Sequence, residues 1–368
     1  MSLRKELVTL ARQEGANKRA LFRRYGIEPR IGYKWLDRYE AEGDGGLADR
    51  SRRPHSCPDR TPAAMEAKIV GLRRKHPSWG GRKLRRRLVE LGEDGVPSAS
   101  TITAILQRHG LIDPSKSAEH RAFQRFERAA PNELWQMDFK GHFETDAGRC
   151  HPLTILDDHS RFALTIRACA DEARPTVQDA LSGVFRRYGL PERMLTDNGP
   201  PWAEPERGWT MLGAWLLRLG IGLTHGRPYH PQTQGKDERF HRTLKAEVIS
   251  TRAWRDLGQC ARAFETWRHI YNAERPHEAL ELATPVTRYR PSPREFPEML
   301  PPIEYGPGDS VRKVQDSGRI SFANRLWRVG KAFAQQPVAV RPTTDDGCYA
   351  VFFCHQKIAE IDLHETES

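Results

Sequence analysis

The stretch RPYHPQTQGKDERFHRTLKAEV, residues 227–248, decides how this chain is read. Arg227, His230, Lys236, Arg239, His241, Arg242 and Lys245 carry or can carry positive charge, and two adjacent carboxylates, Asp237 and Glu238, stand among them. The pattern predicts a helix over about 232–250. At about 100° per residue, Phe240, Leu244 and Val248 define one apolar face. Asp237 falls close to that stripe, which suits a structural or partly capping acid. Glu238 points nearly opposite, with Arg242 and Lys245 one and two turns further on. An acid presented on a basic face fits a partner that is itself a phosphate backbone.

Two more acids stand out upstream. Asp138 interrupts an otherwise apolar predicted strand, WQMDFKG, and a charge there needs a reason. Asp197 ends a second short strand in LTDNG, at the carboxyl end where α/β sites gather. Three carboxylates of this kind can hold two Mg²⁺ ions about 3.5–4 Å apart, one activating a water or 3′-hydroxyl and the other stabilising the leaving oxygen. Hard oxygen ligands suit Mg²⁺. Without a cation, close carboxylates repel and one of them protonates.

Around this centre the chain is multidomain. Residues 3–45 read as three short helices, a helix-turn-helix pattern, assigned to a domain at 1–48. In such a unit the second helix of the motif enters the major groove, so residues about 30–38 would face DNA, with Arg30 and Lys34 as readers. A Gly-, Pro- and Arg-rich linker follows. A second three-helix unit at 61–112 contains RKLRRRL, which packs five cations into seven residues. A solvated face is the plain reading of such a run. Beside two helix-turn-helix patterns, phosphate contact by Arg82, Lys83, Arg85 and Arg86 is an equal reading. Ser98 is a predicted N-cap, and Thr101 would reach bases from the start of the third helix. Residues 131–274 alternate strands and helices as a mixed α/β domain. The Pro-rich segment 275–308 is expected to be irregular. Short strands follow at 309–364, with hairpin turns at Ala323-Asn324 and Asp346-Gly347, and predict a small SH3-like β-barrel.

Composition narrows the class. The 368 residues include 59 Lys and Arg, 48 Asp and Glu and a net charge of +11. Residues 1–130 carry 28 basic and 16 acidic residues, whereas the rest carries 31 and 32, so the excess is confined to the N-terminal third. That confinement argues for a polyanion partner bound by this region. No apolar run is long enough for a membrane span, and the start lacks the apolar core of a secretory signal. The six cysteines form no CxxC pair, which argues against a zinc site or a disulfide framework.

WQMDFKG, LTDNGPPW and HGRPYHPQTQGKDERFHRTLK closely resemble the catalytic core of bacterial insertion-sequence transposases of the retroviral-integrase type. The resemblance extends to the paired helix-turn-helix units, HPSWGGRKL, the LDDHSRF turn and the C-terminal strands. It implies a ribonuclease-H-like fold with an acidic triad mapped onto Asp138, Asp197 and Glu238 as catalytic and metal-binding residues. It implies two Mg²⁺ ions, with Mn²⁺ able to substitute. It also implies double-stranded DNA, as element ends and target, and a homo-multimer on paired ends. The implied setting is the bacterial cytoplasm and its nucleoid. Asp237 departs from the pattern, because relatives often carry an apolar residue there.

Arg227, His230, Lys236, Arg242 and Lys245 are then expected to contact DNA phosphates. Asp157 and Asp158 in LDDHSRF read as turn residues rather than metal ligands. Trp135 and Trp202 read as packing, and His277 as structural. The function expected is a DNA transposase that binds terminal inverted repeats, cleaves them and transfers strands with two metals. The alternatives are a non-catalytic DNA-binding regulator that keeps the fold and a ribonuclease-H-type nuclease.

Overall fold

The computed structural model describes residues 3–50, 60–113, 127–197, 209–225 and 235–365. They divide between Thr61 and Pro62 into two compact units.

The first unit is α1 (Leu3–Ala11), α2 (Lys18–Arg24) and α3 (Pro29–Glu42). The Asn17 side chain caps α2 by accepting from the Ala20 amide, and Pro29 opens α3 where its missing N–H costs nothing. Leu7, Val8, Phe22 and Leu36 form the centre. A Cβ on Gly32 would lie 2.4 Å from the Phe22 ring, so only glycine lets α3 sit this close to α2.

The second unit begins with another three-helix bundle, α4 (Ala63–Lys75), α5 (Gly81–Glu90) and α6 (Ala99–Arg108). Ser98 caps α6 by accepting from the Thr101 amide at 3.2 Å. Ile69, Trp79, Leu84, Ile102 and Ile105 are fully buried in its core.

A six-stranded sheet follows, made of β1 (Trp135–Phe139), β2 (Phe143–Thr145), β3 (Gly148–Asp157), β4 (Ala163–Cys169), β5 (Arg193–Thr196) and β6 (Gly222–His225). Leu153 to Leu156 of β3 pair antiparallel with β1 on one edge and β4 on the other. β5 joins β1 in parallel and β6 joins β5 in parallel, giving the order β4–β3–β1–β5–β6 across the main sheet. Strand alternation sends Trp135, Met137, Leu153 and Ile155 to one face, against α7 (Arg174–Tyr188) and α8 (Met211–Arg218). It sends Leu156, Ala163 and Ile166 to the other, against α9 (Gly235–Glu247) and α10 (Leu257–His269). A helix layer on each face is what a sheet with parallel strands requires.

The second bundle is fastened to this layered domain. Ile270, just past α10, packs against the bundle core. Arg87 of α5 pairs with Glu274 at 3.1 Å, Arg82 with Glu278 at 3.2 Å, and Ser78 hydrogen-bonds Glu247 of α9.

The Pro-rich segment folds back along the sheet domain in short turns. Tyr289 and Phe296 join the core beneath α7, and the Arg294 guanidinium donates to the carbonyls of Pro191, Leu219 and Gly220.

The C-terminal strands correct the expectation of a barrel. β7 (Ser310–Lys313), β10 (Pro337–Pro342), β11 (Cys348–Phe353) and β12 (Gln356–Asp362) form one open sheet, while β8 (Arg319–Phe322) and β9 (Arg325–Arg328) pair only with each other. The β8–β9 turn does fall at Ala323-Asn324, both with positive φ. No closed sheet results, because the apolar face is covered by other means. Val338, Val340, Val351 and Phe353 share a core with Ile320, Phe333 and with Ala214 and Leu217 of α8. The face is buried without its edges having to meet.

Candidate active site

Alternation along β1 fixes what Asp138 faces. Trp135 and Met137 point to α7 and α8, so Gln136 and Asp138 point to the face covered by α9. The parallel register Trp135 opposite Met194 and Gln136 opposite Leu195, continued by two residues, sets Asp138 level with Asp197 at the end of β5. Neighbouring strands lie about 4.8 Å apart, so the two acids are adjacent at the carboxyl end of the sheet. Burial first and the Asp197 charge second push the Asp138 carboxyl up to about 7.

Behind Asp138 stands a short relay. Thr154, opposite Asp138 on β3 and fully buried, has its Oγ1 3.0 Å from the Asp138 carbonyl and 2.8 Å from His241 Nε2. If the threonine donates to the carbonyl, the imidazole must donate through Nε2–H. His241 Nδ1 then presents a lone pair toward the Asp138 carboxyl, 3.8 Å away. Burial first, then Lys140, hold His241 down at about 4, so the ring is neutral.

The two acids of the α9 pair part company. Asp237 is 3% exposed, while Glu238 is exposed. Burial first, then Asp138 and Asp158, raise the Asp237 carboxyl well above the carboxylate range, and its Oδ1 has no hydrogen-bond partner among the described residues. Asp158 faces Asp237 from β3's turn with its own carboxylate fully satisfied. It accepts from Gln136 Nε2 at 2.6 Å and the Arg128 amide at 2.9 Å, and pairs with Lys236. Asp157 is a turn cap, accepting from the Asn132 amide and from both Ser160 N and Oγ.

Among the described residues no group of three acids or histidines converges tightly enough to enclose a metal ion. Asp138 and Asp197 meet, and Glu238 is exposed on α9. The donor set nevertheless fits a hard divalent cation. Two level carboxylates, one driven toward neutrality by burial and by the other's charge, are an electrostatic conflict that such a cation removes.

The basic candidates are scattered by the fold. Arg30 and Lys34 are exposed on α3. On α5, Arg85 is exposed, Arg86 pairs with Glu90 at 2.8 Å, Arg82 with Glu278, and Lys83 is partly buried. Thr101, on α6, is exposed, as are Arg242 and Lys245 on α9. Lys236 is turned inward to Asp158 rather than out to solvent. Arg227, His230, Trp202 and residues 226–234 as a whole lie outside the described residues. His277 is buried against the Tyr271 carbonyl, and Trp135 donates to Asn132 in the core.

Thr154, Gln136, Lys140 and the role of His241 escaped the sequence reading. For His241 a signal existed, because Asp237 and His241 are four residues apart and share the buried face of α9.

Several segments of the chain are similar to known proteins. Residues 128–231 and 219–285 each match an integrase core domain, and residues 309–368 match the C-terminal domain of IS481 family transposases. Residues 3–55 match a helix-turn-helix domain and 31–106 a homeodomain-like domain. An uncharacterized 31.7 kDa protein of insertion element IS407 from Burkholderia multivorans is 26% identical over 62% of this chain and 81% of its own length. A 39.2 kDa protein of insertion element IS476 from Xanthomonas euvesicatoria is 26% identical over 66% of this chain and 69% of its own. The catalytic core domain of BIV integrase aligns with 24% identity over 42% of this chain and 92% of that one, at a TM-score of 0.32. The matched segments are those of insertion-sequence transposases of the retroviral-integrase type, and they support a polynucleotidyl transferase.

Proposed function

We propose that this DNA transposase binds the terminal inverted repeats of its element through α3 and α6, cleaves them and joins the 3′-hydroxyl ends to target DNA by direct transesterification. Asp138, Asp197 and Glu238 would hold two Mg²⁺ ions, or Mn²⁺ in their place. The ions would supply Lewis-acid activation of the attacking hydroxyl and of the leaving oxygen in an in-line displacement. The observation that carries this reading is the level placement of Asp138 and Asp197 on adjacent parallel strands. The chain's own residues then do the positioning. Thr154, held by His241, steadies the Asp138 backbone from behind, and Lys236 bound to Asp158 ties the first turn of α9 to the sheet. Arg242 and Lys245, exposed beyond Glu238, grip the phosphates that flank the scissile bond. The protein works on bacterial DNA in the cytoplasm, as a multimer that holds paired ends; no described helix is long and apolar enough to cross a membrane.

The test is cleavage and joining of labelled end duplexes by the full chain with Mg²⁺. Asp138→Asn, Asp197→Asn and Glu238→Gln should each abolish both reactions and leave end binding nearly intact. Asp237→Asn, which changes a buried acid with no hydrogen bond at Oδ1, should retain clear activity. Activity in all four variants would sink the mechanism. Loss in Asp237→Asn with retention in Glu238→Gln would move the third ligand to Asp237.

A further inference from the structure

Where the second bundle meets the sheet domain, a polar cleft of about 580 Å³ opens between the starts of α5 and α6 on one side and α9 with residues 275–278 on the other. Its walls carry four cations, Arg82 and Lys83 from α5, Arg239 from α9 and Arg275, with the hydroxyls of Ser100 and Thr103 between them. Two of the cations have partners: Arg275 is paired with Glu247 at 3.2 Å and Arg82 with Glu278 at 3.2 Å. Lys83 and Arg239 form no ion pair or side-chain hydrogen bond among the described residues. Lys83 is the unusual one, because it is partly buried. Burial first, then the Arg275 charge, hold its ammonium down at about 8. A desolvated ammonium beside further cations is costly unless an anion completes the group.

The backbone adds to the same field. A Cβ on Gly81 would lie 2.4 Å from the Ala99 carbonyl oxygen and 2.6 Å from Thr103 Oγ1, so α5 and α6 start almost in contact. The first turn of α5 has no side-chain cap, since its N-cap is Gly80. Uncapped amides and the positive end of the helix dipole favour an anion there.

We propose that this cleft is a phosphate seat for the backbone of duplex DNA, with Lys83 and Arg239 as its paired ligands, joining the DNA-reading bundle to the catalytic helix. The proposal rests on the reading that the chain acts on DNA ends, and it adds one point of contact to that reading. Arg239 neighbours Glu238 on α9, so a phosphate held here is tied to the helix that carries the proposed third metal ligand. Two cations converging from separate domains on one phosphate couple end binding to the placement of α9.

The experiment measures binding of the full chain to a duplex of its element's own terminal sequence and to a random duplex of equal length, across a salt series. Each phosphate contact contributes about 0.9 to the log–log salt slope. Lys83→Gln and Arg239→Gln should each make the slope shallower on both duplexes, and the double variant should lose about that amount. Lys83→Arg should restore it, and Arg149→Gln, a charge-matched change on β3, should leave it unchanged. On the unmutated chain, acetic anhydride near neutral pH should modify Lys83 readily, and duplex should protect it. Unchanged slopes in both Gln variants, or Lys83 modified equally with and without duplex, would overturn the proposal. Protection by inorganic phosphate and not by duplex would also overturn it, as a free-phosphate site. Failure of the unmutated chain to bind its end duplex would instead refute the reading of function beneath it.

Discussion

The two helical bundles look alike in sequence and are used differently. In the first, α3 leaves Arg30 and Lys34 exposed, with no ion partner among the described residues, and its core of Leu7, Phe22 and Leu36 closes on itself. In the second, α5 directs part of its charge inward. Arg87 and Arg82 reach Glu274 and Glu278 of the sheet domain, and Ile270 seals the bundle core. The same density of Arg and Lys therefore serves docking in one bundle and display in the other. A charge run in a sequence does not say which, because the deciding carboxylates lie nearly two hundred residues away.

The largest expected effect breaks this comparison at its cores. Trp79, fully buried and stacked on His76 at 3.9 Å, belongs to the docked bundle. Trp79→Ala should cost about 3–5 kcal/mol and weaken the sheet domain's own unfolding transition, since the two share contacts. Phe22→Ala should cost its own bundle a similar amount and leave the sheet domain's transition in place. Calorimetry that gave both variants the same pattern would remove the distinction.

A smaller effect sharpens it through pH. Asp138 has its folded pKa raised to about 7 from 3.8. The folded state therefore binds the extra proton between those values, and stability is full below about 4 and falls as pH rises toward about 7. Without divalent cations, the sheet domain's midpoint should drop by several degrees over that window. Asp138→Asn should flatten the fall and raise the midpoint at pH above about 7 while removing activity. Mg²⁺ should recover the loss in the unmutated chain but not in the variant. A flat profile in the metal-free unmutated protein would contradict the placement of Asp138.

The smallest effect concerns a cation with only a local partner. Arg86 and Glu90 form an exposed i, i+4 pair on α5. Arg86→Gln should change unfolding free energy by less than about 0.5 kcal/mol. A larger loss would mean that this face of α5 is also docked.

How far the residues announced all this differs from place to place. Asp138 and Asp197 were visible because strand positions and a strand end are local properties. Their level alignment was not, since it depends on which strands become neighbours. The helical phase of Asp237 and Glu238 could be counted, yet the burial of Asp237 beside Asp158 required β3 to lie under α9. Asp157 was readable as a turn cap from DDHS, because Ser160 is three residues on. The C-terminal strands and both of their expected turns, at Ala323-Asn324 and Asp346-Gly347, were legible. Closure into a barrel was expected wrongly, because α8 supplies a cover that strand patterns cannot reveal. The cleft around Lys83 was out of reach altogether, being formed by segments more than 150 positions apart.

Glu247 carries a consequence for the order in which this molecule assembles. Its carboxylate hydrogen-bonds Ser78, the Trp267 indole at 2.7 Å and the Arg275 guanidinium, partners 169, 20 and 28 positions away along the chain. Contacts of such separation must first meet the entropy of closing a long loop, and they gain nothing until both ends are already shaped. The link to Ser78 is thus a late event in folding, made after the bundle and the sheet domain have each taken form. A nascent chain completes its second helical bundle long before the carboxylate that fastens it has been synthesised.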